Sequence, residues 1–463
     1  MIISISNVWA RVVDAAPDER AWVFDFFSCN VEQWFAAGGY MDTITRSMVD
    51  QVSGRFASGL VPLLIAGLRR SGITAEIQDD RVVPSALDST ANLAWLRTYQ
   101  RSAVDSVQVR RPRGMIKAPT GAGKSEIFIG LTRALPCEWL FVVHRASILD
   151  EVAKRYTLRT GEQAGVFSSG RWRKGTCNVT LASFQTLHRG LKRGDAITRD
   201  FLCAMQGVNV DECHAQSAAS FYAVLQSMPN AYYRVGQSGT PLVRDDWDNL
   251  RTIGALGPVI YQIPRQVLVD GQVLSAARVR MVECSQPDYH TPYWREIYQR
   301  SVVYSAKRNC LLAEIAARAR KPAFLFIDEI NHGEQVHMRL KRRGVRVSAV
   351  YGDKQAHQRA SALQDLVDGR TEVLICTAVF QEGVDVPALK AVINGQGKKS
   401  IIAQLQRIGR GMRVCGDGDN TFDVWDIADT GQHVLERHAK KRLATYQDEG
   451  YEVESCPFEA LAE

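Results

Sequence analysis

The stretch Ala118-Pro119-Thr120-Gly121-Ala122-Gly123-Lys124-Ser125 constrains this chain more than any other. An apolar run, Gly114 to Ala118, leads into it, and a run with helical spacing, Ser125 to Leu135, leads out. A strand, a glycine-rich loop and a helix in that order make a phosphate cradle. Successive backbone N–H groups, here from Thr120 to Gly123, and the positive end of the helix converge on one anion. Gly121 and Gly123 let the backbone come close to the phosphates. Lys124 would reach the β- and γ-phosphates of ATP, and the Ser125 hydroxyl would hold Mg²⁺. The order of elements makes a chance glycine-rich turn the weaker reading.

Such a loop needs carboxylates opposite it. They follow the apolar run Val208-Asn209-Val210 as Asp211-Glu212. One carboxylate holds the cation and the next polarises the attacking water as general base, because phosphoryl transfer depends on positioning and charge neutralisation. Asp211 is assigned to Mg²⁺ and Glu212 to the base. The next pair, Cys213-His214, has no partner pair at zinc spacing and is not read as a metal site. Upstream, Leu96-Arg97-Thr98-Tyr99-Gln100 precedes the loop. A Gln amide can donate to and accept from one adenine edge, and a Tyr neighbour can pack the base, so Gln100 is the candidate adenine reader.

Polar residues recur at the ends of apolar runs throughout this part of the chain. Trp139 to Val143 ends at His144-Arg145, Asn178 to Ala182 at Ser183-Phe184-Gln185-Thr186, and Tyr233 to Val235 leads to Gln237-Ser238-Gly239-Thr240-Pro241. Strands that alternate with helix-length stretches and end in polar residues describe a parallel α/β sheet with ligands at the carboxyl ends of its strands. Residues 242–300 read as a connector, with Leu274 to Cys284 a strand leaving the first domain. A second α/β unit begins near Ser301, with strands at Ala323 to Ile327, Val345 to Val350, Val373 to Cys376 and Ala391 to Ile393. Thr377 and then Gly383 and Asp385 follow the third of these. A helix then carries Gln406, Arg410 and Arg413, the two arginines on one face. That pair reads either as a nucleic-acid-facing surface or, more sharply, as arginine fingers for the γ-phosphate. The second unit has no phosphate loop, so the two lobes are expected to share one ATP.

Residues 1–88 form a separate small α+β segment in this reading, either a substrate-recognition domain or a dock for a protein partner. They contain seven Arg and no Lys against eleven Asp and Glu, a balance of −4, so the remainder carries +11 of the net +7. A basic body favours a polyanionic partner such as nucleic acid. Removing residues 1–88 is therefore expected to spare basal ATP turnover and to cost preference among nucleic-acid substrates. No apolar run approaches the length of about 18 residues that crosses a membrane. Ten scattered cysteines without a CxxC pair read as reduced, mostly buried cytosolic thiols. The tail from Gly431 reads as a helix with Arg437, Lys440, Lys441 and Arg442 on a solvated face.

In this order the motifs resemble the superfamily 2 helicases and translocases. LRTYQ (96–100) is similar to the Q motif, APTGAGKS (118–125) to motif I, VVHR (142–145) to motif Ia and SFQT (183–186) to motif Ib. DECH (211–214) is similar to motif II, SGTP (238–241) to motif III, TAVFQEGVDVP (377–387) to motif V and QRIGRGMR (406–413) to motif VI. The resemblance covers roughly residues 90–430. Its wording is nearest the branch that includes RecG, XPB, restriction motors and bacteriophage UvsW-type enzymes. It implies two tandem RecA-like lobes, at 89–285 and 286–430, with an N-terminal domain at 1–88 and a helical tail at 431–463. It implies ATP and Mg²⁺ as cofactors, with Gly383, Asp385 and Gln406 near the nucleotide. Ser238 and Thr240 would couple hydrolysis to movement, and His144, Arg145, Ser183, Gln185, Thr186 and Thr377 would touch the backbone of the tracked strand. Motif II reads Cys213 where Ala is common, and motif III reads Gly239 where Ala is common. The expected activity is ATP-dependent translocation on DNA, with remodelling of forked or branched substrates (branch migration) in recombination or repair. An RNA helicase and a motor subunit of a nuclease complex are the alternatives.

Overall fold

The structure, a computed structural model, describes residues 1–35, 40–85, 92–109, 112–143, 147–168, 171–214, 218–242, 246–291, 293–351, 356–377, 389–398 and 421–457. The chain divides into two units, Met1–Ile263 and Pro264–Glu463.

In the first unit the apolar runs become one sheet. Its strands are β7 (Arg113–Lys117), β8 (Trp139–Val143), β9 (Gly165–Ser168), β10 (Arg171–Arg173), β11 (Val179–Ser183), β12 (Gly207–Asp211), β13 (Tyr233–Ser238) and β14 (Val259–Gln262). Their order is β10-β9-β11-β8-β12-β13-β7-β14, parallel throughout except for β10 against β9. Strands such as Trp-Leu-Phe-Val-Val in β8 are buried along their whole length because helices cover both faces. On one face the helix Lys124–Ala134 lays Phe128 on Phe141, with ring centroids 4.4 Å apart. The crossover order sets β13 between β12 and β7. Three loops that are far apart in sequence, after Lys117, Asp211 and Ser238, therefore open side by side at the carboxyl edge.

The N-terminal segment carries β1 (Ile2–Ile5), β2 (Trp9–Asp14), β3 (Ser28–Phe35), β4 (Tyr40–Ser47), β5 (Arg55–Ala57) and β6 (Glu76–Asp79). Four of these form a sheet in the order β5-β2-β1-β6, and β3 pairs with β4 as a hairpin. Helices Pro17–Phe26 and Val61–Arg70 cross closely at Gly67, where a Cβ would come within 2.6 Å of the Phe26 ring. The structure does not leave this segment as a free-standing module. Its apolar side chains Val12, Phe27, Phe56 and Leu64 belong to the same buried cluster as Leu140, Val208 and Leu256 of the eight-stranded domain. Gly59 lies against the helix Asp246–Leu256 so closely that a Cβ would meet the Ile253 carbonyl oxygen at 2.2 Å. Arg113, at the start of β7 and 4% exposed, donates to Ser58 Oγ at 2.5 Å and to the Asn7 carbonyl at 2.7 Å.

The second unit holds a seven-stranded parallel sheet. Its strands are β15 (Ala276–Ser285), β16 (Ala323–Phe326), β17 (Val347–Val350), β18 (Val373–Cys376), β19 (Ala391–Asn394), β20 (Thr421–Thr430) and β21 (Glu452–Cys456). The order is β17-β18-β16-β19-β20-β15-β21. Two tandem RecA-like lobes with a small N-terminal domain are thus the observed fold. The boundaries differ from the sequence expectation. The break falls at Ile263/Pro264 rather than after residue 285, because β15 pairs along ten residues with β20. The tail is likewise part of the second lobe, since β21 pairs with β15 and forms the sheet edge. Arg442 does not sit on a solvated face. It is fully buried on the helix His433–Asp448, donating to Asp426 Oδ2 at 2.9 Å and to the Ile427 carbonyl at 2.7 Å. Arg308 makes the companion buried pair with Asp429.

Candidate ATP site

The loop after β7 turns through two left-handed glycines, Gly121 (φ 91°) and Gly123 (φ 80°), and Gly123 caps the helix that begins at Lys124. A side chain at Gly123 would collide with Gln100, whose Nε2 lies 2.4 Å from the position of a Cβ. Gln100 is 5% exposed. Its Nε2 donates to the Ala122 carbonyl at 3.0 Å, and its Oε1 accepts from the Arg97 N–H at 3.0 Å. The candidate adenine reader thus serves as a strut for the phosphate loop. The amide keeps one further N–H and one further lone pair for another partner.

Lys124 reaches across the strand ends to the loop after β12. Its ammonium bonds Glu212 Oε1 and lies 3.8 Å from Asp211 Oδ1. Burial disfavours its charge, but Glu212 and Asp211 outweigh that and raise its pKa. The two carboxylates are pushed apart. Burial is the main influence on Asp211 and raises it to about 6, with Lys124 opposing. Burial also acts upward on Glu212, but Lys124 and the His214 hydrogen bond prevail and hold it down, to about 2. Glu212 has φ 48°, a conformation that non-glycine residues adopt at a cost and that recurs at functional sites.

Motif III meets motif II through His214. Its Nδ1 lies 2.6 Å from Ser238 Oγ and 3.3 Å from Glu212 Oε2. Ser238 Oγ also accepts the Thr240 N–H at 3.0 Å, and its own proton points to Glu212 Oε2 at 3.4 Å. With that proton directed to Glu212, His214 Nδ1–H is the donor to Ser238. The general-base candidate is therefore linked to Thr240 by a short buried chain of hydrogen bonds. The residue types of DECH and SGTP suggested the two ends of this chain. The connection through His214 and the backbone strain at Glu212 had no sequence signal, because both depend on how β12 and β13 pair. Cys213 is buried between them, and burial pushes its thiol pKa up.

The donor set fits a divalent cation. Asp211 Oδ1 is buried with no hydrogen bond and with the Lys124 ammonium 3.8 Å away, and a carboxylate oxygen so placed beside a phosphate cradle suits a hard cation. Among the described residues, no cluster of three or more His, Cys, Asp or Glu forms a metal site. Such a cation would need Asp211 ionised, so proton and Mg²⁺ would compete there. As pH falls below about 6, the Mg²⁺ concentration for half-maximal ATP turnover should rise by up to about tenfold per pH unit. Turnover measured against Mg²⁺ at pH 5, 6 and 7 checks this, and a midpoint flat down to pH 5 would contradict it.

Other candidates lie elsewhere. Ser183 ends β11 and bonds Thr186 Oγ1 at 2.8 Å, while Gln185 is exposed on the next helix. Thr377 follows β18 in the second unit, its Oγ1 buried without a hydrogen-bond partner. His144, Arg145, Gly383, Asp385, Gln406, Arg410 and Arg413 lie outside the described residues.

Residues 94–243 match the family described as type III restriction enzyme, res subunit, and residues 306–415 match the helicase conserved C-terminal domain. The chain belongs to the superfamily 2 helicases. This superfamily 2 chain is 24% identical to the ATP-dependent DNA helicase UvsW of Enterobacteria phage T4 over 389 residues, 76% of this chain and 75% of that protein. It is 22% identical to the DNA 3′-5′ translocase XPB2 of Sulfurisphaera tokodaii over 360 residues, 69% and 78% of the two chains. The fold is shared with a fragment assigned as the HsdR subunit of a type I restriction enzyme from Vibrio vulnificus. There the TM-score is 0.54 at 16% identity, covering 93% of this chain and 79% of the other. Superfamily 2 helicases use ATP, so the lobe-one site is read as an ATP site. Among the described residues, no helix of this superfamily 2 chain is long and apolar enough to cross a membrane.

Proposed function

We propose that this chain is an ATP-driven motor that moves on DNA and remodels forked or branched duplexes. The convergence of Lys124, Asp211 and Glu212 at the carboxyl edge of the first-lobe sheet carries the reading, supported by the His214–Ser238–Thr240 link that ties the base candidate to motif III. The two relatives named as acting on DNA match 76% and 69% of this chain, whereas the RNA helicases among the relatives match 30% of it or less, and this supports DNA over RNA.

On ATP binding, Lys124 would leave the two carboxylates for the β- and γ-phosphates, and the loop amides would cradle the anion. Ser125 and Asp211 would hold Mg²⁺, which would neutralise charge on the phosphates. Freed from Lys124, Glu212 would accept a proton from the attacking water. The same change at Glu212 Oε2 would be felt by His214 and Ser238, and so by Thr240. Arg410 and Arg413 are proposed as the arginine fingers, with Gly383, Asp385 and Gln406 near the nucleotide. His144, Arg145, Ser183, Gln185, Thr186 and Thr377 are proposed to follow the sugar–phosphate backbone, which carries no sequence information. The first 88 residues are proposed to recognise branched DNA.

Steady-state ATP turnover with single-stranded, duplex, forked and four-way DNA and with RNA, at two salt concentrations, tests this. Forked or four-way DNA should stimulate most, with an affinity that weakens at higher salt. Strongest stimulation by RNA would reject the DNA reading. The match to the restriction res family favours one rival, a motor subunit serving a nuclease. Translocation without strand separation, together with a co-purifying nuclease, would choose that rival.

A further inference from the structure

Two amides lie beneath the phosphate-binding helix where apolar side chains would be expected. Asn209 and Gln237 are both fully buried, and neither nitrogen nor oxygen of either side chain has a hydrogen-bond partner. Register places them together. Gln237 pairs directly with Asp211 across β12 and β13, so the two side chains share a face of the sheet. Asn209 is two residues before Asp211 on the same strand and therefore shares that face too. Phe141, which pairs with Asn209 on β8, marks this as the face covered by the helix Lys124–Ala134, because Phe128 stacks on it. Asp211 Oδ1, 3.8 Å from the Lys124 ammonium, is a fifth atom of the group without a hydrogen bond. Five polar atoms in need of partners, on two adjacent strands, match what a buried water requires, since such a water makes about three hydrogen bonds to otherwise unsatisfied groups.

We propose that Asn209 and Gln237 hold an ordered water beneath the phosphate-binding helix and, through it, fix the orientation of the Asp211 carboxylate. Both are positioning residues. They act on the cation site through Asp211 and touch neither nucleotide nor water nucleophile. The consequence for Asp211 rests on the ATP-site reading, whereas the water itself does not.

The test uses the full chain with Gln237→Met and Asn209→Leu, which keep approximate volume and remove the amide. Replacing dry, unpaired amides by apolar groups raises stability or leaves it unchanged, whereas breaking a satisfied network lowers it. The proposal expects each variant to melt several degrees below the wild type. It also expects each to need severalfold more Mg²⁺ for half-maximal binding of a fluorescent ATP analogue. An equal or higher melting temperature would overturn the water, whether or not the chain turns over ATP. A lower melting temperature with an unchanged Mg²⁺ midpoint would overturn the positioning role. A wild type that binds no nucleotide would sink the ATP-site reading and, with it, the effect on Asp211. The melting temperatures would still decide the water.

Discussion

Lys124→Ala should abolish measurable ATP turnover. Lys124 is the cation that lets Asp211 and Glu212 sit side by side, and in turnover it would be the side chain placed to meet developing phosphate charge. Loss of one such preorganised charge contact costs about 10²–10³ in rate, and this variant loses its role in both states. The electrostatic consequence has a definite sign. Without the ammonium, burial acts on both carboxylates unopposed by Lys124, so Glu212 should titrate higher than it does now and Asp211 higher still. Lys124→Arg should not rescue, because a planar fork cannot replace a compact ammonium inside the loop. Turnover is measured beside far-ultraviolet circular dichroism. A folded variant that still hydrolyses ATP near the wild-type rate would remove the phosphate-loop assignment.

Removing residues 1–88 should unfold the first lobe rather than merely change substrate preference. The deletion would expose the face of the core that Leu60, Leu64 and Phe56 now cover. It would also take away Ser58 and Asn7, the partners of a buried arginine. Arg113 already lies where burial, with Arg234 nearby, pushes its pKa well down. Hydrogen bonds to a charged group contribute about 1.5–3 kcal/mol, a large fraction of the stability of a domain. Arg113 opens β7, the strand that delivers the phosphate loop, so the site should fail with the fold. A milder variant probes the same seam. Gly59→Ala would drive a Cβ into the Ile253 and Gly254 carbonyl oxygens, at 2.2 and 2.5 Å, and should destabilise by about 1–3 kcal/mol. Urea unfolding of the full chain, Gly59→Ala and a chain starting at residue 89 checks both. If the truncated chain melts like the full one, the seam is not structural and the separable module of the sequence reading returns.

The chemistry of the site was legible from the residues alone. A glycine-rich loop between strand and helix, an acidic pair after an apolar run and a Ser-Gly-Thr at a third strand end each carry local meaning, because the pattern of neighbours decides the element and the side chain decides the chemistry. Other features were not local. Asn209 sat inside an apolar run and Gln237 opened a polar strand end, and only the β12–β13 register puts Gln237 beside Asp211 on the face that Asn209 shares. Gln100 was chosen for its amide, yet its grip on Ala122 follows from how the helix Thr98–Val109 packs. Arg442 was placed with solvated charges by its basic neighbours, and a carboxylate sixteen residues earlier in the chain draws it inside.

By itself the sequence determined which strands end in reactive groups and that two α/β units follow one another. Tertiary structure alone decided that the N-terminal segment shares a core with the first lobe, that β15 and β21 join the second sheet, and that His214 connects the base candidate to Thr240. The physical reason is that periodicity and motif spacing are set within a few turns of chain. Pairing partners and burial are chosen among segments tens to hundreds of residues apart, and there the shared core decides.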